Sequence, residues 1–208
     1  MDNALIIFIK NPVKGKVKTR LAATIGDDIA LEIYQKLVRH TLNSTERVAA
    51  DKYIFFSDTI DESIGYANTP VHKEVQSGKN LGEKMNNAFG ELFKNLYKQV
   101  VIIGTDCPGI TDNILAHAFS KLNDSEVVIG PAIDGGYYLL GMKKMHNDLF
   151  ENIAWSTSTV LQSTIERCNI NKLSVTLLKP LSDVDEEKDL VHLNNIPSLK
   201  NQKANHHD

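Results

Sequence analysis

Val100-Val-Ile-Ile-Gly-Thr-Asp-Cys-Pro-Gly109 decides how the rest of the chain reads. Four apolar β-branched residues in a row predict a strand buried on both faces, as in a parallel sheet. Gly104 ends the run and lets the backbone turn. Thr105, Asp106 and Pro108 then fall just past the carboxyl end of the strand, where open α/β sheets form their ligand crevices. A carboxylate fixed there can hold a divalent cation, because hard cations take oxygen ligands. It can equally cap the next helix or close a turn.

Apolar runs and helical periodicities alternate on both sides of this stretch. Residues 4–10 predict a first buried strand, broken by Pro12 and Gly15. Residues 29–47 carry Ile29, Ile33, Leu37 and Leu42 at helical spacing behind an Asp27-Asp28 start. Strands are predicted over 52–57 and 71–75, with a short helix over 61–68 between them. A polar loop from Gln76 to Lys84 opens a helix over 81–96, with Met85, Ala88, Phe89, Leu92, Phe93 and Leu96 on one side. Further on come a helix over 111–122, a strand over 127–131, a helix over 158–168, a strand over 173–178 and a final helix ending near 195. The alternation predicts an α/β fold with a mostly parallel sheet covered on both faces. Residues 127–141 hold two strand-like runs with no helix between, so one antiparallel member is expected. One domain is expected over 1–196, followed by a disordered tail over 197–208.

The 208 residues suffice for one hydrophobic core, and 42% hydrophobic with 24% charged residues is ordinary for a globular protein. A net charge of −3 argues against broad binding to nucleic acid or to an anionic membrane. The apolar run at 5–9 is too short to span a bilayer and lacks the basic start and cleavage site of a signal peptide. A cytoplasmic location is expected. Cys107 and Cys168 offer no disulfide framework and no Cys-x-x-Cys motif. The seven histidines show no metal-ligand spacing. Nothing in the sequence specifies an oligomeric state.

Four clusters follow predicted strands and so share one rim of a parallel sheet. They are the basic loop with Lys10, Lys14, Lys16, Lys18 and Arg20, the loop from Gln76 to Lys84, Asp106, and the pair Asp183 and Asp185. Cations, glycines and separated carboxylates are what a site for a nucleoside diphosphate or triphosphate with a metal requires. A basic loop of this kind is also a common solvated surface. No G-x-G-x-x-G and no Walker sequence is present, so neither a dinucleotide-binding nor a P-loop ATPase reading is supported. Asp134-Gly135-Gly136-Tyr137 reads as a hairpin turn, or as a place where a ligand approaches the backbone closely. Trp155 with Ser156 reads as core plus helix cap, or as a platform for a sugar. Cys107 has no evident base beside it, which argues against a thiol nucleophile.

Five motifs in order carry a resemblance from about residue 4 to residue 193. They are Lys10-x-Pro12 with Gly15-x-Val17-Lys18-Thr19-Arg20-Leu21, Gln76-x-Gly78 with Leu81-Gly82-x-Lys84-Met85, Gly104-Thr-Asp-Cys-Pro108, the 130–141 segment around Asp134-Gly-Gly-Tyr137, and Trp155-Ser-Thr157. Together they resemble the GT-A-fold nucleotide-diphospho-sugar transferase-like proteins, bacterial glycosyltransferases linked to arsenosugar biosynthesis. The Lys-Thr-Arg-Leu and Asp-x-Pro elements also resemble phospholactate guanylyltransferases, which use a nucleoside triphosphate with magnesium. The resemblance implies a three-layer, Rossmann-like GT-A fold and a need for Mg²⁺ or Mn²⁺.

By that resemblance Asp106 holds the metal on the diphosphate, and Asp183 or Asp185 supplies a second carboxylate, with Asp185 taken as the ligand. Lys10, Gly15, Lys18 and Arg20 would meet the phosphates, with Thr105 beside them. Gln76, Gly78, Gly82 and Lys84 would line the base and ribose. Asp134, Gly135, Gly136, Tyr137, Trp155 and Ser156 would line the acceptor or sugar side; for glycosyl transfer Asp134 is the candidate general base for the acceptor. Two departures stand out: Thr-Asp-Cys replaces the Asp-x-Asp of most metal-dependent GT-A enzymes, and the first loop lacks the glycine-rich triphosphate cradle. The sequence thus implies a metal-assisted glycosyltransferase using a nucleotide-sugar and a small-molecule acceptor. The alternatives are a nucleotidyltransferase acting on a small phosphorylated substrate with a nucleoside triphosphate, and a nucleotide-binding protein without catalysis.

Overall fold

The apolar run at 100–103 is the middle strand of a sheet, with each of its four side chains at most 3% exposed. The computed structural model describes residues 2–195. In chain order they form β1 (Asn3–Ile9), α1 (Thr19–Ile25), α2 (Asp27–Thr45), β2 (Asp51–Phe56), β3 (Val71–Val75), α3 (Leu81–Lys94) and β4 (Gln99–Ile103). There follow α4 (Asp112–Lys121), β5 (Val127–Pro131), β6 (Tyr137–Met142), α5 (Val160–Ile170) and β7 (Val175–Leu177), with 3₁₀ turns at Asn147–Phe150 and Glu187–Asn195.

The sheet order is β3-β2-β1-β4-β6-β5-β7. β6 alone runs antiparallel to its neighbours, joined to β5 by the Asp134-Gly135 hairpin. Alternate side chains leave a strand on opposite faces, so each central strand feeds two cores. Leu5, Ile7 and Ile9 pack with Tyr34, Val38 and Leu42 of α2 and with Leu115 and Phe119 of α4. Ala4 and Ile6 pack on the other side with Met85, Phe89 and Leu92 of α3 and with Cys168 of α5. Each buried aliphatic side chain contributes about 1.5–3 kcal/mol of transfer free energy, so the two cores fix the layer order. The expected α/β/α fold with a mixed sheet is the one observed.

Three expectations need correction. Residues 61–68 are turns, not a helix: the Asp61 carboxylate accepts from the Ser63 N–H at 2.9 Å and from its hydroxyl at 2.6 Å. Such local bonds compete with helix formation. The basic loop gives way to a helix, α1, already at Thr19. The final helix is wound as 3₁₀ turns. The expected tail over 197–208 lies outside the described residues.

Candidate active site

The loops after the parallel strands all leave the sheet at one rim. The chain reverses its direction of travel across the sheet between β1 and β4, and such a switch point opens a crevice. Asp106 stands just beyond β4 at this place. Its loop is tied down from three sides. The Tyr34 hydroxyl bonds to the Lys10 N–H at 2.8 Å and carbonyl at 3.0 Å, and accepts from the Thr105 hydroxyl at 3.3 Å. His40 Nε2 donates to the Pro108 carbonyl at 2.9 Å. The Val184 N–H donates to the Asp106 carbonyl at 2.9 Å.

That last bond brings in the far end of the chain. Beyond β7, the Leu178 and Leu181 N–H groups donate to Ile129 and Pro131 at 2.8 and 3.0 Å. The segment so guided delivers Asp183 and Asp185 to Asp106, nearly eighty residues away in sequence. Lys18 meets them from the β1 side. It precedes α1 in a left-handed conformation, φ 49°, which costs a residue other than glycine about 1–2 kcal/mol. Its side chain is only 3% exposed, and its ammonium pairs with Asp106 and, at 3.1 Å, with Asp185. Arg20 reaches the other Asp185 oxygen at 2.6 Å and Glu186 at 3.7 Å. Burial alone would lower the Lys18 pKa, but Asp106 and Asp185 outweigh it and raise it.

Asp183 has a different environment. Its Oδ1 is buried and without a partner. Burial pushes its carboxyl up to about 7, Asp106, Asp134 and Asp185 add to the rise, and Lys18 opposes it. The folded protein therefore keeps a proton there that an unfolded chain releases near the ordinary 3.8. This group's contribution is full at acid pH and is lost as pH rises through about 7, so stability falls with pH over that window. Asp183→Asn should remove that fall. Between about pH 4 and 8 the variant should gain roughly 1–3 kcal/mol on the wild type. Urea unfolding in EDTA at several pH values reads this out, and parallel profiles for the two proteins would refute it.

The donor set suits a hard divalent cation: three carboxylates, one carrying an orphaned buried oxygen, on a rigid rim. Among the described residues no three His, Cys, Asp or Glu side chains form a ready-made metal cage. The ammonium of Lys18 stands between Asp106 and Asp185 instead.

The other candidate residues divide into two groups. Lys10 is exposed on the rim, Gly15 and Gly78 lie in the loops after β1 and β3, and Lys84 lies half-buried on α3. Asp134 is exposed, with one oxygen accepting from the Gly136 N–H at 2.9 Å. Ser156 is exposed on the 151–159 segment. The second group is engaged by the protein itself. Thr105 is buried against Tyr34, and Lys18 is held by carboxylates where free contact with phosphates was expected. The Gln76 amide donates to Phe55 at 2.9 Å, joining strand ends. Tyr137 turns into the second core, its hydroxyl 3.9 Å from the Met85 sulfur.

Gly135 makes room for the chain's own Ser158 carbonyl, which would lie 2.1 Å from a Cβ. At Gly82 a Cβ would lie 2.2 Å from the Trp155 indole nitrogen, so tryptophan and glycine fill each other's space. Sequence reasoning passed over Tyr34 and His40, which sit within a helix and carry no motif, and Asn11, whose Oδ1 accepts from Ser57, Asp58 and Thr59 to shape the neighbouring loop.

Known proteins share this fold. Residues 41–157 match the model of a family described as an uncharacterized protein conserved in bacteria (DUF2064). No curated protein matches the sequence. A protein from Desulfovibrio desulfuricans G20, assigned as a nucleotide-diphospho-sugar transferase, is 30% identical over 97% of this chain and 89% of its own, with a TM-score of 0.86. A CMP:2-keto-3-deoxy-manno-octonic acid synthetase solved with CTP shares 10% identity over 91% of this chain and 95% of its own, with a TM-score of 0.55. Rv0371c of Mycobacterium tuberculosis H37Rv, solved with manganese, shares 11% over 92% and 96%, with a TM-score of 0.53. The last two are likenesses of fold alone. The chain belongs to the DUF2064 family, built on the nucleotide-diphospho-sugar transferase fold.

Proposed function

We propose that this protein is a glycosyltransferase that moves a sugar from a nucleotide-diphospho-sugar to a small-molecule acceptor, with Mg²⁺ or Mn²⁺. The observation that carries the reading is the meeting of Asp106, from mid-chain, and Asp185, 79 residues further on, around Lys18 and Arg20 from the segment that follows β1. Such a cluster combines oxygen donors for a metal with cations for phosphates. Asp106 and Asp185 would hold the ion, with the orphaned Asp183 oxygen as a third donor. When bound, it supplies Lewis-acid stabilisation of the departing diphosphate. Lys10 and Lys16 are exposed and make no ion pair among the described residues, which leaves them for the phosphates. Asp134 keeps one oxygen for its turn and offers the other to the acceptor hydroxyl as general base.

The manganese in the Mycobacterium tuberculosis neighbour agrees with the choice of metal. A diphosphate donor is favoured over a triphosphate by the loop after β1. Its Val13 and Lys16 N–H groups donate to the loop's own carbonyls at 2.8 and 3.0 Å rather than facing outward as an anion nest. The test is product analysis with Mn²⁺ across nucleotide-sugars and nucleoside triphosphates, given a pool of hydroxyl acceptors. Release of a nucleoside diphosphate from one nucleotide-sugar is expected. Pyrophosphate from a triphosphate would replace this reading with nucleotidyl transfer. Binding without turnover of either donor class would replace it with a nucleotide-binding protein.

A further inference from the structure

We propose that Lys18 is an exchangeable cation of this site: its ammonium holds Asp106 and Asp185 together until a divalent ion takes them, and it then turns to the donor's phosphates. The proposal rests on the metal-dependent reading above and adds a specific role for one side chain within it. Of the five cations between Lys10 and Arg20, Lys18 alone is buried; Lys14 and Arg20 are 56% and 65% exposed at the side chain, and Lys10 and Lys16 lie on the surface. The two carboxylates it joins remain 50% and 30% exposed. Solvent ions therefore reach the carboxylates from outside while the ammonium occupies the inner side.

Charge and size both point to exchange rather than a permanent strut. Lys18 joins Asp106 and Asp185, the outer Arg20 shares Asp185, and one further carboxyl oxygen, Asp183 Oδ1, is buried without a hydrogen-bond partner. One ammonium donates at most three hydrogen bonds and carries a single charge. A divalent ion carries two charges and draws oxygens to about 2.1 Å, against 3.1 Å for Lys18 on Asp185. Both cations cannot occupy that space, because they repel each other and need the same oxygens. A lysine suits the exchange, since its charge rides on a flexible four-carbon stem and moves without the backbone. Once displaced, the ammonium finds its next partner in the diphosphate that arrives with the metal. Metal and donor then bind with positive coupling, which linkage requires to be mutual.

Two measurements on the whole protein test this. The first is acylation of lysines in the wild type, followed by mass spectrometry in EDTA and in saturating Mn²⁺. The Lys18 rate should rise about fivefold or more with Mn²⁺. Lys52, 4% exposed with its ammonium bound to the Val48 carbonyl at 2.6 Å, should not change and serves as the control. The second is calorimetric titration with Mn²⁺ alone: Lys18→Met should bind it about tenfold more tightly than the wild type, because the competitor is gone. Mn²⁺ binding with unchanged Lys18 acylation, or with no gain in Lys18→Met, would make Lys18 a fixed strut and leave the metal reading standing. Absence of Mn²⁺ binding to both proteins would overturn the metal reading and the exchange with it. The acylation arm needs no variant, so a misfolded Lys18→Met would not rescue the proposal.

Discussion

Asp106→Asn is expected to lower turnover by about 100-fold or more and to erase the Mn²⁺-dependent part of the thermal shift produced by the nucleotide donor. The substitution keeps the side-chain shape and removes one negative charge. The loop should hold its form, because the Val184 N–H is bound to the Asp106 backbone carbonyl, which asparagine retains. Lys18 keeps Asp185 as a counter-ion at 3.1 Å, so the folded state should lose only about 1–2 kcal/mol. A residue that merely closed a turn or capped a helix would be replaced by asparagine almost without cost. The two roles thus separate cleanly: a small change in the metal-free melting temperature accompanies a complete loss of the metal-dependent increment. A metal-dependent shift that survived intact would remove Asp106 from the metal site.

Gly135→Ala is expected to destabilise the protein by about 3–5 kcal/mol, a fall in Tm on the order of 10 °C for a chain of this size. Gly135 has φ 94°, a region closed to side chains without strain. An added Cβ would also sit 2.1 Å from the Ser158 carbonyl oxygen, a backbone atom that no rotamer change moves aside. That backbone is itself fixed nearby, since the Leu161 N–H donates to the Gly135 carbonyl at 2.9 Å. Gly136→Ala is the control: its Cβ would meet only the Asp134 side chain, at 3.3 Å, and a loss near 1 kcal/mol or less is expected. Equal melting curves for the two variants would show that the hairpin yields more readily than its contacts suggest.

The strands were legible because their burial is written into composition. The runs at 4–9, 100–103 and 127–129 are apolar at every position, as a strand covered on both faces must be. The helix α1 was hidden because its preceding residue is a left-handed lysine with no capping side chain, so the usual start signal is missing. At 61–68 a short helix was expected, yet Asp61 and Ser63 found each other first. In the site, the carboxylates and cations were legible as residue types on one rim. Their partners were not: nothing in a run of lysines marks Lys18 as the buried one. The same holds for the glycines, whose occupants, Trp155 and Ser158, lie far along the chain. A motif reveals that space is needed but not who fills it.

The packing of Trp155 on Gly82 also makes the protein its own optical probe. The chain has a single tryptophan, so all indole emission originates from one place, at the foot of α3 beside the loop from Gln76 to Lys84. The ring is half-buried and stacked near Phe150 at 6.5 Å between centroids, and its colour and brightness therefore depend on local water and on any charge brought close. A ligand that settles in that loop is expected to shift the spectrum. Unlabelled protein in a cuvette can thus report directly on occupancy of that loop.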